Sequence, residues 1–181
     1  MGIRFRALRA EEIECRIGQV SKRGNGLSLL LFKTARTDMD ILDETVGPDN
    51  WQCKYYEQKG TLFCSTGIRI KREDGSYEWV WKDDAGSPSN IEEAKGEASD
   101  CRKRSGVCWG IGRELYTAPF IWVPSDKCNL QPRNNGFTCY DRFKVAKIRV
   151  SEDESGRKRI TGIRVVNESN GQIVFSWKSD E

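Results

Sequence analysis

The sequence predicts an α+β fold: a β-β-β-α core with an antiparallel meander and a long basic helix, followed by a small C-terminal β meander. Three observations predict it. Alternating apolar runs broken by turn residues fill 51–82. Apolar and small residues then recur at 3-4 spacing from Ile91 to Cys108. Alternation returns between residues 143 and 177. The expected division is a core over 1–124 and a β appendage over 125–181.

Taken in order, Leu8, Ile13, Ile17 and Val20 fall at mostly helical intervals, with Glu11 and Glu12 in a first turn where the helix dipole favours them. A short helix over 8–20 is predicted. "SKRGNG" (21–26) reads as a turn and "LSLLLF" (27–32) as a buried strand. A second helix is predicted over 37–46, capped by Thr37 or Asp38, packed through Met39, Leu42 and Val46, and stopped by Gly47 and Pro48. Strands follow at 51–57, 61–72 and 77–82, joined by a turn at 58–60 and a hairpin at "EDGS" (73–76). Tyr77, Trp79 and Trp81 share one face of the last strand and are expected in the core, with base stacking the weaker reading. The edge strands of this meander can pair or pack between subunits. Residues 117–142, with three prolines, are expected to be irregular. "FKVAKIRV" (143–150), "RITGIRVV" (159–166) and "QIVFSW" (172–177) are expected to form the last meander. Its Lys147, Arg149, Arg157, Lys158, Arg159 and Arg164 read equally as a basic surface or as a charged edge that blocks aggregation.

Composition excludes several functions. The net charge of +3, from 30 basic and 27 acidic residues among 181, leaves any nucleic-acid argument to the distribution of charge. No apolar run approaches the 18 or so residues of a membrane span. "MGIRFRALRAEE" has no apolar h-region for secretion and no Ser or Thr at position 6 for myristoylation. The seven cysteines lack close pairs and the chain has no histidine, so reduced, buried thiols are expected rather than a zinc site. Without histidine, Ser-His and Cys-His nucleophiles are excluded, and no phosphate-binding G-x-x-x-x-G-K-[ST] loop is present. No catalytic residue, metal site or cofactor is expected. Asp38, Asp40, Asp43 and Glu44 raise the alternative of a metal-dependent nuclease, weighed against an ordinary solvated helix face.

The most informative stretch is "EEAKGEASDCRKRSGVCWGIGRELY" (92–116). Ser89 and Glu92 make a possible capping box, and Glu92 and Glu93 suit the first turn. Ile91, Ala94, Ala98, Cys101, Ser105 and Cys108 form the packed face. At about 100° per residue, Lys103 points away from that face, Arg102 and Arg104 flank it, and Gly96, Ser99 and Gly106 complete the outward row. Each interior glycine costs about 1 kcal/mol relative to alanine, and small residues around one lysine let another backbone come close. Two readings stay open: a solvated basic face with tolerated glycines, or a phosphate-backbone site.

The same stretch carries a resemblance. Ser99-Asp100, Lys103-Arg104, Ser105 and Trp109-Gly110 are similar to a helix motif of the Rad-fifty-two-type single-strand annealing protein superfamily, which includes many phage recombination proteins. "LRAEEIECRI" resembles its opening helix, "VGPDNW" (46–51) its Phe-Gly-x-x-x-Trp turn, and "EDGSYEWVW" its Lys-Asp-Gly hairpin. The similarity covers roughly residues 8–123. It implies ATP-independent annealing of complementary strands in recombination and repair, by a homo-oligomer, often a ring, in the bacterial cytoplasm and encoded by a phage or prophage. It also implies a host or phage single-strand-binding protein as a partner. Carried over, Lys103 and Arg104 contact phosphates, with Arg102 and Arg113 nearby and Arg36 or Lys33 as the family's basic residue before the second helix. Arg102 stands where the family often has an apolar residue, and Val107 where some members have a basic one. No long tail for recruiting a recombinase is evident, and the resemblance assigns residues 125–181 no role. The alternatives are a protective single-strand-binding module without annealing activity, the nuclease, and a structural phage protein.

Overall fold

A computed structural model describes residues 2–87 and 93–180. Ser89, Ile91 and Glu92, and with them the expected capping box, lie outside the described residues. The fold is α+β, with two α-helices among the described residues, antiparallel sheets and a C-terminal β meander. The chain divides into two compact units. The first comprises 1–6 and 33–112; the second comprises 7–32 and 113–181. The second unit thus draws chain from both sides of residue 124, where the sequence suggested a boundary.

The first unit holds α1 (Ala35–Val46), the antiparallel sheet β3 (Trp51–Gln58), β4 (Thr61–Lys71) and β5 (Tyr77–Ala85), and α2 (Glu93–Trp109). α1 begins earlier than the sequence suggested. Thr34, not Thr37 or Asp38, is its cap, and its side chain accepts from the Thr37 amide at 3.2 Å. Gly47, at φ 85°, ends the helix where no side chain is tolerated cheaply. Lys59 and Gly60 both have positive φ, as a two-residue hairpin turn requires. One face of β4, through Cys64, Thr66 and Ile68, packs on α2 at Cys101 and Ser105, all of them buried. The Thr66 and Ser105 hydroxyls meet at 2.6 Å, so this polar pair is satisfied inside the core. Trp109 donates its indole N–H to the Thr66 carbonyl at 2.8 Å and pins the end of α2 to β4.

The second unit is a six-stranded sheet ordered β11-β10-β9-β1-β2-β6 with a small β7-β8 hairpin. Its strands are β1 (Ile13–Val20), β2 (Gly26–Lys33), β6 (Ile121–Pro124), β7 (Leu130–Arg133), β8 (Gly136–Cys139), β9 (Phe143–Glu152), β10 (Lys158–Asn167) and β11 (Ile173–Lys178). The division places Lys33, the last residue of β2, in the first unit. The C-terminal meander is present and is extended by β1, β2 and β6. The helix expected over 8–20 is not formed: a 3-10 turn at Ala10–Glu12 leads into β1. Ile13, Cys15 and Ile17 alternate as well as Ile13, Ile17 and Val20 repeat helically, and Gly18 weakens a helix. Pairing with β9, at Glu14↔Lys144, then decides. The opening helix of the family resemblance is therefore a strand here. Residues 117–142 are likewise not irregular throughout, since β6 pairs with β2 from Gly26↔Pro124 to Leu29↔Ile121. Leu27, Ile121, Val123, Val145, Val165 and Val174 build the core. The fully buried Glu114 accepts from the Leu8 amide at 2.7 Å. All seven cysteines are free thiols.

Candidate nucleic-acid interface

Besides Lys95, α2 carries cations on three successive residues, Arg102, Lys103 and Arg104. They diverge around the helix because Cys101 and Ser105 face the sheet. Arg102 leans toward β3, its guanidinium 5.2 Å from the Trp51 ring centroid. Its Nε is buried without a hydrogen-bond partner. Arg104 leans toward β5 and reaches Asp84 at 3.2 Å. Lys103 lies between them, 4.0 Å from Asp100, with 17% of its side chain exposed. Ion pairs of this exposed or loosely spaced kind contribute about 0–1 kcal/mol, so a phosphate can compete with Asp84 and Asp100 for these cations.

Behind the row lies a buried ion pair that sequence reasoning did not find. Lys33 and Asp38 are 4% and 1% exposed and in direct contact. Lys33 therefore fixes α1 rather than facing solvent, which corrects its expected place in a phosphate groove. Gly106 belongs to the same contact. A β-carbon there would stand 2.6 Å from Asp38 Oδ2 and 3.1 Å from Lys33 Nζ. The outward row thus packs against α1 at Gly106 instead of meeting solvent. Burial pushes the Asp38 carboxyl up to about 6, against the opposing pull of Lys33, Arg102 and Lys103. Three cations thus act on one carboxylate.

The other expected residues are dispersed. Arg36 is exposed in the first turn of α1. Arg113 is exposed in the 3-10 helix Arg113–Thr117 and belongs to the second unit. Three of the four carboxylates that raised a nuclease have structural partners, and Asp40 is exposed. Asp38 pairs with Lys33, Asp43 accepts from the Trp51 indole at 2.6 Å, and Glu44 binds Arg6 at 2.6 Å. Among the described residues no group of three or more His, Cys, Asp or Glu is placed to hold a metal ion.

The aromatic residues of β5 depart from expectation. Tyr77 is 53% exposed, and Trp79 and Trp81 are half-buried, on the sheet face turned away from α2. The alternation in "YEWVWK" showed that they share a face but not which face. Among the described residues, no helix is long and apolar enough to cross a membrane.

No family model matches the chain, and no solved structure matches it. Over 123 residues, 68% of the chain, the sequence is 29% identical to a protein of Deinococcus deserti named single-stranded DNA-binding protein DdrA. The matched region spans 59% of that relative's length.

Proposed function

We propose that this protein binds single-stranded DNA through the basic row of α2 and anneals complementary strands without ATP, as a homo-oligomer acting in recombination and repair. The observation that carries the reading is the arrangement of Arg102, Lys103 and Arg104 on a helix clamped to the sheet by Trp109 and to α1 at Gly106. A rigid helix holding several cations suits recognition of a phosphate backbone, which requires charge and position but no reading of bases. The similarity to DdrA, named for single-strand binding, supports the binding. Annealing, the ring, the recombination setting, a cytoplasmic site of action, a single-strand-binding partner protein and a phage or prophage source are supported by the resemblance of the α2 motif.

The test is ATP-free pairing of two complementary fluorescent oligonucleotides. The wild type is expected to accelerate pairing well beyond the free strands. Lys103→Ala/Arg104→Ala is expected to lose that acceleration and to bind single strands at least about tenfold more weakly, with circular dichroism unchanged. Its salt dependence should flatten by about 0.7 in log–log slope for each phosphate contact removed. Wild-type binding without faster pairing would leave a protective module. Undiminished affinity in the double variant would move the site off α2.

A further inference from the structure

We infer that the open face of the β3-β4-β5 sheet is a base-stacking platform for single-stranded nucleic acid, separate from the basic row on α2. The inference rests on the proposed single-strand binding and adds a second kind of contact to it. Strand register defines the face. Trp81 stands opposite Gly67, Trp79 opposite Arg69 and Tyr77 opposite Lys71, while Lys54 stands opposite Ser65 and Tyr56 opposite Phe63. The alternate residues Cys64, Thr66 and Ile68 are buried toward α2, so these side chains project the other way.

The face is built for flat rings. A β-carbon at Gly67 would lie 2.6 Å from the Trp81 indole, so the indole covers β4 only because residue 67 has no side chain. Trp79 and Trp81 stack at 5.9 Å between centroids, and Tyr56 and Phe63 at 5.4 Å. Lys54 Nζ sits 4.2 Å from the Trp81 ring centroid, and the Arg69 guanidinium 4.2 Å from that of Tyr77. Lys54, Arg69, Lys71, Tyr56 and Tyr77 are exposed.

Charge selects the occupant. Three cations, Lys54, Arg69 and Lys71, share the face with one carboxylate, Asp83, which already accepts from Ser65 and from Tyr56 at 3.1 Å. An apolar protein partner would not need cations interleaved with rings. A single strand presents π-faces to the rings and phosphates to the cations, and base–aromatic stacking tolerates any sequence. This face and α2 lie on opposite sides of the sheet, so base contacts here and phosphate contacts on α2 would be made by different nucleotides of a strand.

The experiment compares binding of oligothymidylate with that of an abasic strand of equal length. The wild type is expected to prefer oligothymidylate by at least about tenfold. Tyr77→Leu/Trp79→Leu keeps apolar cover on the sheet but removes the π-faces. It should lose the preference and keep the abasic affinity, whereas Tyr77→Phe/Trp79→Phe should retain both. Lys103→Ala/Arg104→Ala should weaken both strands and leave their ratio intact. Should the double leucine variant fail to fold, Tyr77→Leu alone, at a position 53% exposed on an edge strand, makes the same comparison. An unchanged preference in the leucine variant overturns the platform and leaves single-strand binding standing. A changed sedimentation mass with unchanged preference also overturns it and assigns the face to contacts between copies of this chain. A wild type that binds neither strand overturns the proposed function itself, and the platform with it.

Discussion

Asp38→Ala is expected to destabilise the first unit by about 3–5 kcal/mol, because it leaves the Lys33 ammonium buried without its counter-charge. A domain's whole stability is about 5–15 kcal/mol, so the loss takes a large share of it and should lower the urea midpoint markedly. The carboxylate also faces Arg102 and Lys103, and its loss leaves three cations repelling one another. Urea unfolding followed by circular dichroism measures the effect. Lys33→Met/Asp38→Leu should recover most of the loss, since a buried ion pair exchanged for apolar groups of similar volume is often neutral or better. An Asp38→Ala midpoint equal to that of the wild type would mean that Lys33 finds another partner. The pair also fixes a pH dependence. The Asp38 carboxyl rises from 3.8 to about 6 through burial. Between those values the folded state holds a proton that the unfolded chain releases. Asp38 therefore makes stability fall as pH rises through that window, the reverse of an exposed salt-bridged carboxylate, and Asp38→Asn should remove that component.

Gly106→Ala should destabilise as well, against helix propensity. In an exposed helix interior this exchange would gain about 1 kcal/mol. Here the new β-carbon would lie 2.6 Å from Asp38 Oδ2 and 3.0 Å from its carboxyl carbon. Either α1 moves away or the ion pair opens. The net loss expected is about 1–3 kcal/mol, the usual result of overfilling a packed interior. Thermal unfolding of Gly106→Ala beside Gly110→Ala separates the causes. Gly110, at φ 98°, has open space around it and should show backbone strain alone. A stabilised Gly106→Ala would mean that the two helices do not close on each other at this residue.

Where local pattern and tertiary packing agree, the sequence was readable. The β3-β4-β5 meander, α1 and α2 follow from alternation, turn chemistry and 3-4 spacing, each within a few residues. β1 reads both ways because Ile13 and Ile17 satisfy both periods, while Val20 fits only the helical one and Cys15 only the alternating one, and pairing with β9 decides. β6, four residues long among prolines, has no local signal apart from its partner β2. The site was partly legible. The successive cations Arg102, Lys103 and Arg104 and their spread around α2 follow from 3.6-residue geometry. That Lys33 turns inward does not, because Lys33 and Asp38 are five residues apart across a strand end and a cap, and burial depends on Gly106 more than 60 residues later. Gly106 reads as a place for close approach, but nothing local names Asp38 as the neighbour. In the same way, alternation grouped Tyr77, Trp79 and Trp81, and hydrophobicity then placed them in the core. The cations opposite them, Arg69 and Lys71, pointed to the outer face.

The way the second unit is assembled from two stretches of chain bears on synthesis. β2 hydrogen-bonds β6, with Leu27 opposite Val123, and all of the first unit except residues 1–6 is encoded between the paired stretches. On the ribosome, β1 and β2 emerge early and then wait while about 80 residues of the first unit are made, roughly 4–16 s at elongation rates of about 5–20 residues per second. During that interval β2 displays Leu27, Leu29 and Leu30 on an unpaired edge, a template for pairing with any other nascent chain. The first unit, contiguous apart from its first six residues, can complete its fold during the wait. Pulse-labelled chains stalled after residue 112 has cleared the ribosomal exit tunnel, but before β6 has, should therefore protect the first unit from protease while the β1-β2 segment remains cleavable, and should be the species most dependent on chaperones.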